Sequence, residues 1–253
     1  MSSKPKVAFF DFACCEGCQL QVANLEEEIL VLAQMVDVVE FREVMTGAAP
    51  AYDIAFIEGS ITRRADENRL KDIRNRSKLL VAYGQCAVSG GINKLKNRRP
   101  GMDEVKKEVY GDSAGMPHLD TYPTKAIDEI VAVDFYIPGC PVNREEFLWV
   151  VKELLLGKTP RLPNYPVCVN CKLQENACLF DFSIICLGPL ARAGCGAVCP
   201  ANGVACCACR GTVDNPNKNA MHEILLKYNY TVEEIKKKFD IFAVDPEVQS
   251  GKK

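Results

Sequence analysis

Nine of the chain's 14 cysteines fall between Cys168 and Cys209, in the run CVNCKLQENACLFDFSIICLGPLARAGCGAVCPANGVACCAC. Sulfur at that density either forms disulfides or holds metal through thiolates. The spacing favours metal. Cys168–Cys171 and Cys206–Cys209 are both C-x-x-C, the interval at which one turn lets two sulfurs grip one centre. Cys178, Cys186, Cys195 and Cys199 lie between them. With Cys207 set aside, the eight remaining thiols suffice for two four-ligand sites, of zinc or of iron–sulfur.

The compartment bears on that choice. The opening residues MSSKPKVAFFDFACC pass almost directly into a strand-like run, with no signal peptide or twin-arginine pattern. A cytoplasmic protein is therefore expected, where disulfides are rare and clustered cysteines bind metal or do redox work. No apolar run reaches the length a bilayer needs, so no direct membrane insertion is expected. The formal net charge of −2 gives no basic field for nucleic acid.

Ahead of the cysteine block, strand and helix signals alternate. Strand-like runs cover Lys6–Ala13, Val36–Val44, Asp53–Ser60, Ser77–Cys86 and Glu129–Cys140. Val22, Leu25, Ile29, Leu32 and Val36 paint one face of a helix at 3-4-3-4 spacing. Ala65–Arg76 reads as a charged surface helix, and Asn143 caps another running to Gly157. The alternation implies an α/β fold, a flavodoxin-like doubly wound parallel sheet. There is no GxGxxG to suggest a nucleotide. Ile92–Lys125 reads as an irregular stretch whose basic tetrad Lys94, Lys96, Arg98 and Arg99 is most simply solvated. The Pro-rich segment Thr159–Val167 marks a boundary, giving domains 1–160 and 161–253, the second loop-rich with short helices. Helices are expected over Ala220–Tyr228 and, from a capping box of Thr231 and Glu234, through IKKKF.

The other five cysteines are Cys14, Cys15, Cys18, Cys86 and Cys140. Cys15 and Cys18 follow the first strand, Cys86 the fourth and Cys140 the fifth. Open α/β sheets bind ligands at the carboxyl ends of their strands, near the topological switch point, so these four thiols should converge. Glycines beside them let backbone approach a bulky ligand. Ordinary core packing explains any one buried cysteine, but not four at one end of a sheet.

CEGC (Cys15–Cys18), EGS (Glu58–Ser60), GQCAVSGG (Gly84–Gly91) and PGCP (Pro138–Pro141), in that order, resemble the proximal-cluster motifs of [NiFe]-hydrogenase small subunits. CLGP at Cys186, Cys195 nine residues on and C-x-x-C at Cys206 resemble those subunits' medial and distal region. The resemblance spans essentially the whole chain and is nearest to the cytosolic, multimeric branch, such as methyl-viologen-reducing hydrogenases and sulfhydrogenases. It implies three [4Fe-4S] clusters: a proximal one on Cys15, Cys18, Cys86 and Cys140, a medial one on Cys195, Cys199, Cys206 and Cys209, and a distal one on Cys168, Cys171, Cys178 and Cys186. Cys168 stands where periplasmic relatives carry histidine, and Cys199 where proline often leaves a three-iron cluster. Cys14 and Cys207 receive no role, although the tandem Cys14–Cys15 is similar to the related complex I subunit.

The resemblance further implies an oxidoreductase subunit acting on dihydrogen, with no catalytic residue of its own. Its partners would be a [NiFe]-hydrogenase large subunit and an iron–sulfur or flavin electron-acceptor subunit docking near Cys168 to Cys186. Two alternatives stand beside it: a complex I-like or membrane-hydrogenase-related subunit, and a zinc-stabilised binding protein. Glu16 could carry protons or, more simply, face the partner, and Glu58 could orient backbone or meet the partner, or be a plain surface acid. His118 and His222 are not needed as ligands, and Phe9, Phe10, Phe12, Phe135 and Tyr136 are expected in the core.

Overall fold

Five apolar runs become five parallel strands. In chain order the elements of this part are β1 (Lys6–Asp11), α1 (Gly17–Ala23), α2 (Glu27–Met35), β2 (Asp37–Phe41), β3 (Tyr52–Glu58), α3 (Arg64–Arg76), β4 (Ser77–Tyr83), α4 (Gln85–Ser89), α5 (Met102–Tyr110), β5 (Phe135–Ile137) and α6 (Arg144–Leu155). The computed structural model describes residues 4–118, 120–231, 233–234 and 241–242. The strand order is β2-β1-β3-β4-β5, every neighbouring pair parallel. This is the flavodoxin-like order, whose switch point lies between β1 and β3.

Both faces of the sheet are covered, which is why its central strands are apolar throughout rather than alternating. On one face Ala8, Phe10, Ala55, Ile57, Leu80 and Ala82 pack against Leu70 and Ile73 of α3 and Ala87 of α4. On the other an aromatic group forms, with Phe9 stacked on Phe41 and Phe56 at 4.4 and 5.0 Å, and Phe147 5.3 Å from Phe56. Phe56, wholly buried in the middle of β3, joins this group together. Phe56→Ala is expected to cost about 3–5 kcal/mol, read as a lower unfolding midpoint in urea. A loss below about 1 kcal/mol, typical of a surface site, would contradict that packing.

Three expectations change. The apolar stripe Val22–Val36 is not one helix, because Glu26 adopts φ 52°, ψ −117° between α1 and α2. Val22, Leu25 and Val36 are buried, but α2 between them buries no residue. β5 is only three residues long. Just before it the Asp134 carboxylate, rather than a strand carbonyl, accepts the Leu80 N–H at 2.7 Å. The stretch 92–125 is not irregular throughout: Gly91–Arg98 is a 3-10 helix and α5 follows. Its basic residues are largely tied down, Lys94 to Glu129 (2.7 Å), Arg99 to Glu108 (2.8 Å) and Lys96 to the Thr121 hydroxyl (2.7 Å).

The chain divides into two compact units, Met1–Phe147 and Leu148–Lys253. The division falls within α6, ahead of the Pro-rich segment. Asn143 Oδ1 accepts the Glu146 N–H at 2.9 Å and so caps α6 as expected. After α6 the second unit contains α7 (Val167–Leu173), a 3-10 turn Leu179–Phe182, α8 (Val198–Ala201) and α9 (Lys218–Lys227). Between them are loops joined by the isolated bridges Pro166–Arg192 and Ala191–Thr212. Leu179, Phe180, Leu187, Leu190, Met221 and Leu225 supply its buried apolar side chains. The Thr231–Glu234 capping box forms, with the Thr231 N–H donating to Glu234 (2.8 Å) and the Glu234 N–H to Thr231 Oγ1 (3.3 Å). The helix expected beyond it lies outside the described residues.

Candidate metal centres

The carboxyl ends of β1, β4 and β5 deliver thiols to one place. β1 ends at Asp11, and Cys15 and Cys18 lie at the start of α1. β4 ends at Tyr83, and Gly84 leads into α4 and Cys86. The N–H groups of Gly84 and Gln85 donate to Ile137 O (2.8 Å) and Gly139 O (2.6 Å), fastening this turn to the loop of Cys140. Gly84 has φ +83°, and a Cβ on it would lie 2.5 Å from Cys18 Sγ. A Cβ on Gly17 would meet Cys15 Sγ at 3.3 Å and Pro141 Cβ at 3.9 Å, so the Cys15 and Cys140 loops also touch.

The electrostatics agree with this geometry. Burial, then the Cys140 and Cys15 thiols, push Cys86 up to about 12. Cys18 is raised by burial and by Glu58, with Cys140 among the lesser causes. The loops that carry Cys15, Cys18, Cys86 and Cys140 thus lie beside one another at this end of the sheet. Cys14 stands beside them, pushed up to about 12 by burial and Glu58, with Cys86 also acting on it.

Glu58 closes the floor of this site. It ends β3, is almost fully buried, and accepts the N–H groups of Cys18 (3.0 Å) and Gln19 (2.9 Å) on its two carboxylate oxygens. It is therefore not a plain surface acid, and it orients backbone. Burial raises its pKa and those two N–H groups oppose the rise. Glu16 pairs with Arg42, which also meets Asp11 at 2.9 Å.

In the second unit, Cys168, Cys171, Cys178 and Cys186 line one cavity of about 110 Å³, together with Gly188, Phe180 and other apolar groups. A Cβ on Gly188 would come 3.2 Å from Cys168 Sγ and 3.4 Å from Cys186 Sγ, so the sulfurs would have to give by a few tenths of an ångström to admit it. The Cys206 N–H donates to Cys186 Sγ at 3.3 Å. Burial, then Cys186, Cys171 and Cys178, push Cys168 up to about 12. Cys195, Cys199, Cys206 and Cys209 are less sharply divided from that set, since Cys186 acts on both Cys199 and Cys206. Burial raises Cys199, followed by Cys207 and Cys195. A hydrogen bond with the Cys207 thiol raises Cys209, followed by burial, with Cys206 and Cys195 also near. Cys207, left without a role by the spacing, therefore stands inside this set. The tandem Cys206–Cys207 followed by Ala208, which turns left-handed at φ 57°, is the signal that could have found it.

Among the described residues no two cysteines are joined as a disulfide, and no group of three or more His, Cys, Asp or Glu side chains is placed to hold a metal ion. His118 and His222 are exposed. Among the described residues no helix is long and apolar enough to cross a membrane.

The chain matches the family described as "NADH ubiquinone oxidoreductase, 20 Kd subunit" over residues 15–154. Sulfhydrogenase 2 subunit delta of Pyrococcus furiosus is 35% identical to it over 241 residues, covering 94% of this chain and 99% of the relative. A subunit of the vhu F420-non-reducing hydrogenase of Methanococcus voltae is 32% identical over 248 residues, covering 85% of this chain and 84% of the relative. Among solved structures, a chain of the NAD+-reducing [NiFe]-hydrogenase in the H2-reduced state superposes with a TM-score of 0.58 at 28% identity, covering 63% of this chain and 96% of that one.

Proposed function

We propose, since the chain belongs to the family of the NADH ubiquinone oxidoreductase 20 kDa subunit and is a hydrogenase small-subunit-like protein along nearly its whole length, that it is the electron-transfer subunit of a [NiFe]-hydrogenase. It would conduct electrons between a large subunit, where dihydrogen is split or formed, and a partner redox module. The carrying observation is that Cys15, Cys18, Cys86 and Cys140 follow the carboxyl ends of β1, β4 and β5, on adjoining loops at the edge where open α/β sheets bind ligands.

The donor sets fit iron–sulfur clusters. Each is built of cysteine thiols, and burial raises the pKa of Cys18, Cys86, Cys168 and Cys206 among them, so a cation that binds there displaces protons. Gly84 and Gly188 leave open the space that a Cβ would fill beside their thiols. In this reading Cys15, Cys18, Cys86 and Cys140 hold a proximal [4Fe-4S] cluster, Cys168, Cys171, Cys178 and Cys186 a distal one, and Cys195, Cys199, Cys206 and Cys209 a medial one. Such a cluster, when bound, takes up and releases single electrons. The chain's own groups bind and tune it: thiolates hold it, Glu58 fixes the backbone at Cys18, and the Cys206 N–H offers positive charge to the Cys186 sulfur.

No residue of this chain is assigned to hydrogen activation. The acceptor, an iron–sulfur or flavin subunit, would dock where the exposed Leu173, Phe182 and Ile184 lie on the segments carrying Cys168 to Cys186. The cytoplasm, where thiols stay reduced, is the compartment that suits such a chain. The complex I-like alternative is less favoured, because the similarity to Sulfhydrogenase 2 subunit delta extends over the C-terminal cysteine block as well. The test is the metal content of the anaerobically purified native complex. Iron and acid-labile sulfide in equal amounts, with nickel copurifying in a larger subunit, are expected. Zinc without sulfide would replace this reading with a zinc-stabilised binding protein.

A further inference from the structure

Buried polar atoms nearly always find a hydrogen-bond partner, yet three side chains with an unpartnered buried atom stand next to Cys18 and Gly84 in the chain. The Gln19 carboxamide is fully buried, and neither its Nε2 nor its Oε1 is bonded to protein. Tyr83 Oη and Gln85 Oε1 are buried and equally without a protein partner. Gln19 follows Cys18. Tyr83 and Gln85 flank Gly84, the residue whose Cβ would lie 2.5 Å from Cys18 Sγ.

Glu58 lies beside the backbone of two of these residues. It accepts the Gln19 N–H at 2.9 Å. The β3–β4 register that sets Ile57 opposite Ala82 brings Tyr83 beside it. Burial, followed by the Glu58 carboxylate and the Cys18 thiol, pushes the Tyr83 hydroxyl's pKa well up. Phe9, Phe56 and Phe147 surround the tyrosine ring at 6.2, 5.8 and 6.1 Å, so the hydroxyl is held where it is.

A phenylalanine and a leucine would pack these positions with no desolvated polar atom. Retaining a hydroxyl and a carboxamide there is costly unless they donate to something. Buried water is the usual go-between where two or more polar groups share a closed space. We propose that Gln19 and Tyr83 are positioning residues that donate hydrogen bonds, through buried water, toward the sulfur of the cluster held by Cys15, Cys18, Cys86 and Cys140. This rests on the iron–sulfur reading of that set. Donors facing cluster sulfur stabilise the more negative, reduced form and so raise its potential.

The test uses the anaerobically purified native complex carrying Tyr83→Phe or Gln19→Met, both of which preserve shape. In EPR-monitored redox titration the midpoint of the first-unit cluster should move negative in each variant, with iron and sulfide content unchanged. The exchangeable-deuteron couplings that this cluster shows in heavy water should weaken in parallel. Unchanged midpoint and couplings, with the cluster present, would overturn the inference and leave the cluster reading standing. Loss of the cluster in both variants would also overturn it, because the residues would then be serving the fold. No iron–sulfur signal from this set in the unsubstituted complex would remove the reading beneath it.

Discussion

Cys140→Ser is expected to stop hydrogen-dependent reduction of an electron acceptor while the second unit's clusters remain visible by EPR. Cys140 is supplied by the loop after β5, and its thiol acts on both Cys18 and Cys86. A hydroxyl is a far poorer iron ligand than a soft thiolate. Loss of a group that merely supports a ligand typically costs about 10–100-fold in affinity or activity, and loss of a ligand itself should cost at least the upper end of that range. The sets Cys168–Cys186 and Cys195–Cys209 take none of their thiols from the first unit, so their signals should survive. Turnover at the unsubstituted rate would refute the assignment of Cys140 to the electron path.

Gly84→Ala should empty the same site by a different route. Gly84 combines φ +83° with an extended ψ of 149°, a conformation costing other residues on the order of 1–3 kcal/mol. The added carbon would also arrive 2.5 Å from Cys18 Sγ, so either the turn or the sulfur must move. The expected result is a complex short of iron and sulfide by one cluster, with a thermal midpoint lowered by several degrees, at roughly 2–4 °C per kcal/mol for a chain of this size. Gly101→Ala is the control, since a Cβ there meets nothing within 4 Å and its backbone is extended. If both variants bound the same iron, the close approach at Gly84 would have no functional meaning.

Much of this site can be read in the sequence because its thiols sit at strand ends, and strand ends are marked by apolar runs stopping at glycine. Cys86 after SKLLVAYG and Cys140 after DFYIPG are placed by that rule alone. Glu58 is legible as the end of a strand, but its bonds to Cys18 and Gln19 join positions about 40 residues apart, and no periodicity records such a pairing. Gln19 and Tyr83 are hidden for the same reason: each looks like an ordinary element residue until its neighbours are known. The break at Glu26 is invisible in the sequence because the apolar spacing runs on through it, although the backbone does not. α5 carries only a short apolar stripe, Met102, Val105 and Val109, and buries none of it. Cys207 escapes a count in fours, while the left-handed Ala208 turns it back among its neighbours.

The order β2-β1-β3-β4-β5 has a consequence for how the molecule is made. The first set draws on both ends of a long stretch of chain, and only completed pairing of β1 with β3, β3 with β4 and β4 with β5 closes that distance. The sets of the second unit need only the short span from Cys168 to Cys209. A ribosome therefore releases Cys15 long before the residue that completes its quartet, and a sheet with one strand out of register offers an incomplete nest. On the proposed reading, metal delivered there would inspect the finished topology, whereas metal delivered to the later cysteines would test only local folding.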